Sequence, residues 1–196
     1  MKKNTNRKQE ILQALATMLE SAPGQRITTA RLAQAVGVTE AALYRHFPSK
    51  ARMFEGLLDF VEETILVRIN RILDEDKQSA SRCYKIAQLV LIFAEKNPGI
   101  SSLLSGEALT GEQERLRTRV NSIFEKLETQ FKQVLRERPM REGKSLTENE
   151  QILANLITSW IEGQIRQYVR SRFTHLPSTK LPKQWKLLQQ TIFDTP

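Results

Sequence analysis

The segment Arg26-Ile-Thr-Thr-Ala-Arg-Leu-Ala-Gln-Ala-Val-Gly-Val-Thr-Glu-Ala-Ala-Leu-Tyr-Arg-His-Phe-Pro-Ser-Lys50 constrains the fold more than any other part of the chain. Thr28 or Thr29 can start a short helix that ends by Val36, and Gly37 is free to adopt the left-handed turn that must follow. Thr39 can then cap a second helix to about His46. Phe47-Pro48 ends it, because proline pushes its predecessor out of helical geometry. Leu32, Ala33 and Val36 point inward from the first helix, and Ala42, Leu43 and Phe47 from the second. Small Ala33 lets the two helices approach and cross steeply. Two such helices joined by a glycine turn form a helix-turn-helix.

The residues left outside this small core have a consistent chemistry. Thr39, Ala41, Tyr44, Arg45 and His46 would face a DNA major groove or its phosphate walls. Thr28 and Thr29 sit at a helix N-terminus, where backbone N–H groups and a hydroxyl suit a phosphate. Lys50 begins the next helix, beside the other backbone. Charge points the same way. The net charge is +8. Residues 1–54 carry nine Lys/Arg against three acidic residues, whereas the remaining 142 carry 21 against 19. The basic excess therefore lies at one end, where a polyanion is the expected partner.

The rest of the chain reads as helix, so the expected class is all-α. No period-2 alternation persists and no hairpin turn separates apolar runs. Ile11, Leu15, Met18 and Leu19 mark a first helix that stops at Ser21-Ala-Pro-Gly24. Ser49 can cap a long fourth helix carrying Met53, Leu57, Phe60, Val61, Ile65, Ile69 and Ile72. A break at 74–79 precedes a fifth, with Ile86, Val90 and Phe93 on one face, stopped at Asn97-Pro98-Gly99. A short helical piece spans about 100–108. Leu116, Val120, Ile123, Leu127, Phe131 and Val134 then define a long amphipathic helix. Residues 139–146 are expected to be a loop. Thr147 with Glu150 has the form of a capping box opening the next helix, through Ile152, Leu156 and Trp160. Pro177 and Pro182 bracket a connector, and Trp185, Leu188 and Ile192 a last helix. The expected division is 1–50 for the helix-turn-helix domain and 51–196 for a helical domain of dimerisation and partner binding.

Other chemistry is poorly supported, and the expectation is a protein that is not an enzyme and holds no metal or cofactor. His46 and His175 lack the convergent ligands a metal needs, and no glycine-rich phosphate loop follows a strand. Acidic runs such as Glu62-Glu63 and Asp74-Glu75-Asp76 read as solvated faces. Lone Cys83 cannot form an intrachain disulfide and reads as a small core residue, in keeping with a reducing compartment. No signal-peptide pattern is evident, and no run approaches the ~18 apolar residues of a membrane span. A cytoplasmic protein is expected.

Residues 39–54, Thr-Glu-Ala-Ala-Leu-Tyr-Arg-His-Phe-Pro-Ser-Lys-Ala-Arg-Met-Phe, resemble the signature of TetR-type regulators. In that family the second and third helices form the helix-turn-helix and the rest is a dimerising helical body. Arg26–Ala30, Glu95–Gly99, Leu104–Leu109, Val134–Arg138 and Met140–Gly143 further resemble the nucleoid occlusion branch of the family. The chain departs from that pattern at Ile92, at Lys96 and over 107–111. The resemblance implies a factor that binds palindromic operators and, through the C-terminal tail of the division protein FtsZ, antagonises FtsZ assembly and blocks septum formation over the nucleoid. It places the tail in a groove between the fourth and fifth helices, at Phe60, Arg68, Leu89, Lys96 and Asn97. It further implies a nucleoid-associated factor, with higher order on DNA open. The two long helices over 111–138 and 147–172, the second apolar around more than one face at Ile152, Trp160 and Ile161, predict a homodimer through a four-helix bundle. The alternative is a ligand-sensing repressor, which would need an internal pocket lined by residues such as Phe93, Trp160 and Tyr168.

Overall fold

Helix ends written into the sequence organise the N-terminal third of the computed structural model, which describes residues 2–22 and 25–193. Helix α1 (Lys2–Ser21) is followed by α2 (Thr29–Val36) and α3 (Glu40–His46). Pro23 and Gly24, expected to end the first helix, lie outside the described residues. Thr28 caps α2, its hydroxyl oxygen accepting from the Arg31 N–H at 3.3 Å. Gly37 closes α2 in the left-handed region, at φ 71°. Its N–H donates to the Gln34 carbonyl and that of Val38 to the Ala33 carbonyl, the paired bonds of a Schellman stop. Thr39 accepts from Ala42 N–H at 3.2 Å and Ser49 from Arg52 N–H at 3.2 Å, so α3 and α4 (Lys50–Glu75) are capped as the sequence leads one to expect.

The remaining helices are α5 (Ser79–Lys96), α6 (Pro98–Leu104), α7 (Glu114–Glu142), α8 (Glu150–Arg170) and α9 (Leu181–Phe193), with a single 3₁₀ turn at Glu107–Leu109. No strand occurs among the described residues. Asn97 ends α5, and Pro98 occupies the first turn of α6, where its missing N–H costs nothing. Helix α1 packs on α6, α7 on α8, and α9 against α5. One apolar cluster runs from Ile11 and Leu15 of α1 through Leu43 and Phe54 to Ile86, Phe131 and Ile161. Cys83 is fully buried within it, and burial pushes its thiol well above the usual range.

Three expectations are corrected. Helix α7 does not stop before Pro139 but continues to Glu142. Tertiary anchors hold this last turn. The buried Arg138 guanidinium stacks 4.6 Å over the Phe193 ring and donates to the Phe193 carbonyl at 3.3 Å. Glu142 accepts from Ser79 N–H at 2.6 Å. Nor do Thr147 and Glu150 form a capping box. Asn149 caps α8 by accepting from Gln151 N–H at 2.8 Å, while the Thr147 hydroxyl donates to the Thr191 carbonyl at 2.6 Å and ties down α9. Finally, Pro182 lies inside the first turn of α9 rather than in the connector, a place where proline is tolerated.

Candidate functional site

The caps and core of the helix-turn-helix decide what its surface offers. Leu32, Ala33 and Leu43 are buried, so the opposite faces of α2 and α3 are turned outward. Thr28, Thr39, Ala41, Tyr44 and Arg45 are exposed, whereas Thr29, His46 and Lys50 are half-buried. Two hydroxyls are already engaged. Thr29 donates to Glu40 Oε2 at 2.5 Å and receives a long bond from Tyr44, at 3.5 Å. Glu40, in the first turn of α3, was not among the residues singled out from sequence, and neither was exposed Arg31 on α2. Their sequence signal is weak, because a single charge at a helix start suits the helix dipole as well as it suits a ligand. Lys50 is turned away from solvent toward the protein body. Its ammonium pairs with the Glu112 carboxylate and lies 5.6 Å from the Phe54 ring centroid.

A second feature lies between α4 and α5. Helical spacing places Phe60, Thr64, Arg68 and Ile72 along one side of α4. Lys85, Leu89, Ile92, Phe93 and Lys96 answer from α5, and Asn97 closes one end. Together they bound an open groove of about 470 Å³. The five residues proposed from sequence for a peptide groove, Phe60, Arg68, Leu89, Lys96 and Asn97, all line it. Phe60 is 47% exposed, an unusual position for a large ring on a helix, and stands 6.3 Å from the Phe93 ring. No acidic residue lines the groove. Lys85 is paired with Asp76 at 2.6 Å, but Arg68 and Lys96 form no ion pair among the described residues. The Asn97 amide donates to the Phe93 carbonyl at 2.8 Å, which leaves its side-chain oxygen and its second N–H as the groups to offer. A wider trough of about 790 Å³, missed by the sequence reading, adjoins the groove. It shares Phe60 and Asn97 and runs past Leu12, Ala16 and Leu57 toward Ala35 of α2.

The helices that border the groove are held by an ionic lattice. Along α4, the acids Glu55, Asp59 and Glu62 pair with Arg115, Arg119 and Lys126 of α7. Burial alone would raise the Glu62 carboxyl, but hydrogen bonds from Lys126 and Arg119 hold it below the usual range. At the far end of α4, burial acts on Asp76 in the same direction and is outweighed by hydrogen bonds from Lys85, Ser81 and the Gln78 N–H. Arg82, 3% exposed, donates to the Asp76 and Leu73 carbonyls and contacts Glu137 at 3.3 Å. A small, partly open pocket among Ile65, Val90, Leu104 and Phe124, bordered by Glu62 and Lys126, measures about 20 Å³, about the room of a water. Phe93, Trp160 and Tyr168 do not converge on a chamber. Phe93 meets Phe60, Trp160 meets Trp185, and the Tyr168 hydroxyl donates to the Glu95 carbonyl. Among the described residues no cluster of three metal-ligating side chains occurs, and no helix is long and apolar enough to cross a membrane.

A capped helix-turn-helix on a helical body defines a DNA-binding regulator of the TetR type. The family described as bacterial regulatory proteins of the tetR family matches residues 11–57, and that described as tetracyclin repressor-like, C-terminal domain (SlmA-like) matches 77–192. Solved structures of the same fold include the fatty acid degradation regulator FadR of Bacillus halodurans. It has a TM-score of 0.81 at 13% identity and covers 93% of this chain and 94% of its own. Much nearer in sequence is the nucleoid occlusion factor SlmA of Shewanella woodyi, 60% identical over 97% of this chain and 96% of the relative. SlmA of Alteromonas mediterranea is 59% identical over 96% of each. The chain belongs to the family of the nucleoid occlusion factor SlmA within the TetR-type regulators.

Proposed function

We propose that this protein binds palindromic chromosomal operators through α2 and α3. From there it captures the C-terminal tail of FtsZ in the α4–α5 groove, so that FtsZ assembly and septum formation are antagonised over the nucleoid. The observation that carries the second half is the groove itself. It has an exposed aromatic anchor, Phe60, an apolar floor at Leu89 and two cations, Arg68 and Lys96, without an acid to neutralise them. Such a surface suits a short peptide with apolar anchors and acidic flanks. Thr28, Thr29, Thr39, Ala41, Tyr44, Arg45, His46 and Lys50 are the proposed DNA-facing set.

The ligand-sensing alternative is less well supported. Small-molecule sites usually occupy about 300–1,000 Å³ of largely enclosed space; the two spaces of that size here, the groove and the adjoining trough, are open to the surface, and the pocket among Ile65, Val90 and Phe124 is an order of magnitude smaller. Dimerisation is proposed through α7 and α8. Ile152 and Leu156 stand exposed one turn apart on α8, with half-buried Trp160 a turn further on, while Ile161 on the other side is fully buried in the protomer. A helix apolar on two sides needs a second partner, and two helices from each copy form a four-helix bundle of two-fold symmetry. The expected location is the cytoplasm, on the nucleoid.

The test is titration of a labelled FtsZ C-terminal peptide against operator-bound protein. Wild type should bind, and Arg68→Ala should bind at least several-fold more weakly while keeping its operator affinity. Equal peptide affinities would remove Arg68 from the site. No binding to wild type would reject the groove as the tail's receptor.

A further inference from the structure

The ionic lattice between α4 and the body reverses polarity at the DNA-proximal end. Glu55, Asp59 and Glu62 supply the acid from α4, and Arg115, Arg119 and Lys126 the cation from α7. In the pair nearest the helix-turn-helix, Lys50 of α4 supplies the cation and Glu112, just before α7, the acid. This pair is sheltered, with side-chain exposures of 21% and 13%. Glu112 is also held in place. Its N–H donates to the Leu109 carbonyl at 3.1 Å, across a turn in which Gly111 takes a φ of 77°. The segment carrying it therefore presents a fixed carboxylate to the one lysine at the start of α4.

We propose that Glu112 is an internal competitor for the DNA backbone: its carboxylate occupies the place at Lys50 that an operator phosphate takes, so that docking on DNA exchanges one anion for the other and frees the Glu112 side chain. This rests on the reading of Lys50 as a phosphate contact. The ammonium keeps an anionic partner before and after, and the displaced Glu112 carboxylate turns outward to be paired by water. The net gain from the Lys50 contact is then smaller than that of a free lysine, because an existing ion pair must break first. It also makes the turn before α7 responsive to DNA. That turn leads directly into the helix whose Arg119 and Lys126 brace α4 along the groove. Operator docking thereby acquires a route into the body that involves no small ligand.

Operator binding by fluorescence anisotropy across a salt series, with wild type, Lys50→Ala, Glu112→Gln and the double variant, tests the proposal. Glu112→Gln keeps the size of the side chain and removes its charge, and thermal melting of each variant verifies folding. Lys50→Ala should weaken binding and reduce the salt slope by about one. Glu112→Gln should bind about two- to fivefold tighter than wild type, the scale of one partly exposed ion pair. That gain should vanish in the Lys50→Ala background. If Lys50→Ala leaves affinity and slope unchanged, the phosphate role of Lys50 is wrong and the competition falls with it. If Lys50→Ala weakens binding but Glu112→Gln does not tighten it, the phosphate role stands and the competition alone is rejected. A gain that persists without Lys50 also rejects it, because Glu112 would then act by general repulsion of DNA.

Discussion

A β-carbon placed on Gly99 would lie 2.0 Å from the carbonyl oxygen of Ala16. Helix α1 and helix α6 touch there backbone to backbone, and the contact joins the DNA-binding end to the body. Gly99→Ala must separate the two helices, because the obstacle is main chain and cannot rotate aside. The expected cost is about 3 kcal/mol, at the upper end for overpacking. Urea unfolding should show a clearly lower midpoint.

Arg82 is expected to be the most sensitive polar residue of the body. Its guanidinium satisfies the Leu73 and Asp76 carbonyls, both at 2.6 Å, and faces Glu137. Arg82→Ala removes the donor to the Asp76 carbonyl and leaves Leu73 only a long bond from Lys77, at 3.4 Å, while Glu137 keeps Arg141; it should cost about 3 kcal/mol, read as a loss in unfolding free energy. Arg82→Lys should recover only part of it, since a single ammonium cannot reproduce the fork of donors.

Acid should weaken the fold through Asp76, Glu62 and Glu142. Burial raises each carboxyl, yet all three end below their ordinary range because hydrogen bonds outweigh it: Lys85 and Ser81 for Asp76, Lys126 and Arg119 for Glu62, and Ser79 for Glu142. A carboxyl depressed in the folded state contributes stability that is present above its unfolded pKa, near 4, and is lost as pH falls through the folded value. Melting temperature should therefore fall below about pH 4. Asp76→Asn should lower it at neutral pH and flatten the acid limb. An unchanged limb would remove Asp76 from the acid response.

On the helix-turn-helix, Arg45 and Tyr44 should behave differently. Arg45→Ala removes a charge and should weaken operator and random DNA alike, reducing the salt slope by about one. Tyr44→Ala should change preference among operator variants more than affinity for random DNA. Competition binding with single-base operator variants separates the two outcomes.

The α8 stripe can be tested by charge. Leu156→Glu, alone or with Ile152→Glu, places an anion on the proposed two-fold face, and both positions are exposed in the protomer, so folding should survive. Sedimentation velocity at micromolar concentration should show monomer for the variant and dimer for wild type. A wild-type monomer would overturn the four-helix interface.

The local structure of the first fifty residues was legible because its causes are local. Thr28, Thr39 and Ser49 cap the helices that follow them, Gly37 turns between two of them, and Pro48 forbids the third from continuing; each acts within three or four residues. The apolar repeats of α4, α5, α7 and α8 were legible for the same reason, and spacing alone laid Phe60, Arg68, Leu89 and Lys96 along facing helices once those helices were taken to be neighbours. What the sequence could not determine are events between distant segments. Pro139 argues locally for a stop, but Phe193 and Ser79, far away in the chain, hold the last turn of α7 in place. Thr147 has the spacing of a cap, but the carbonyls at the end of α9 claim its hydroxyl. Lys50 is a solvent-facing lysine by sequence and a sheltered one in the fold, because Glu112 arrives beside it from 62 residues further along. Capping and periodicity act over one turn of helix and leave a trace in neighbouring residue types, whereas partner choice between distant groups depends on which surfaces packing has already brought together.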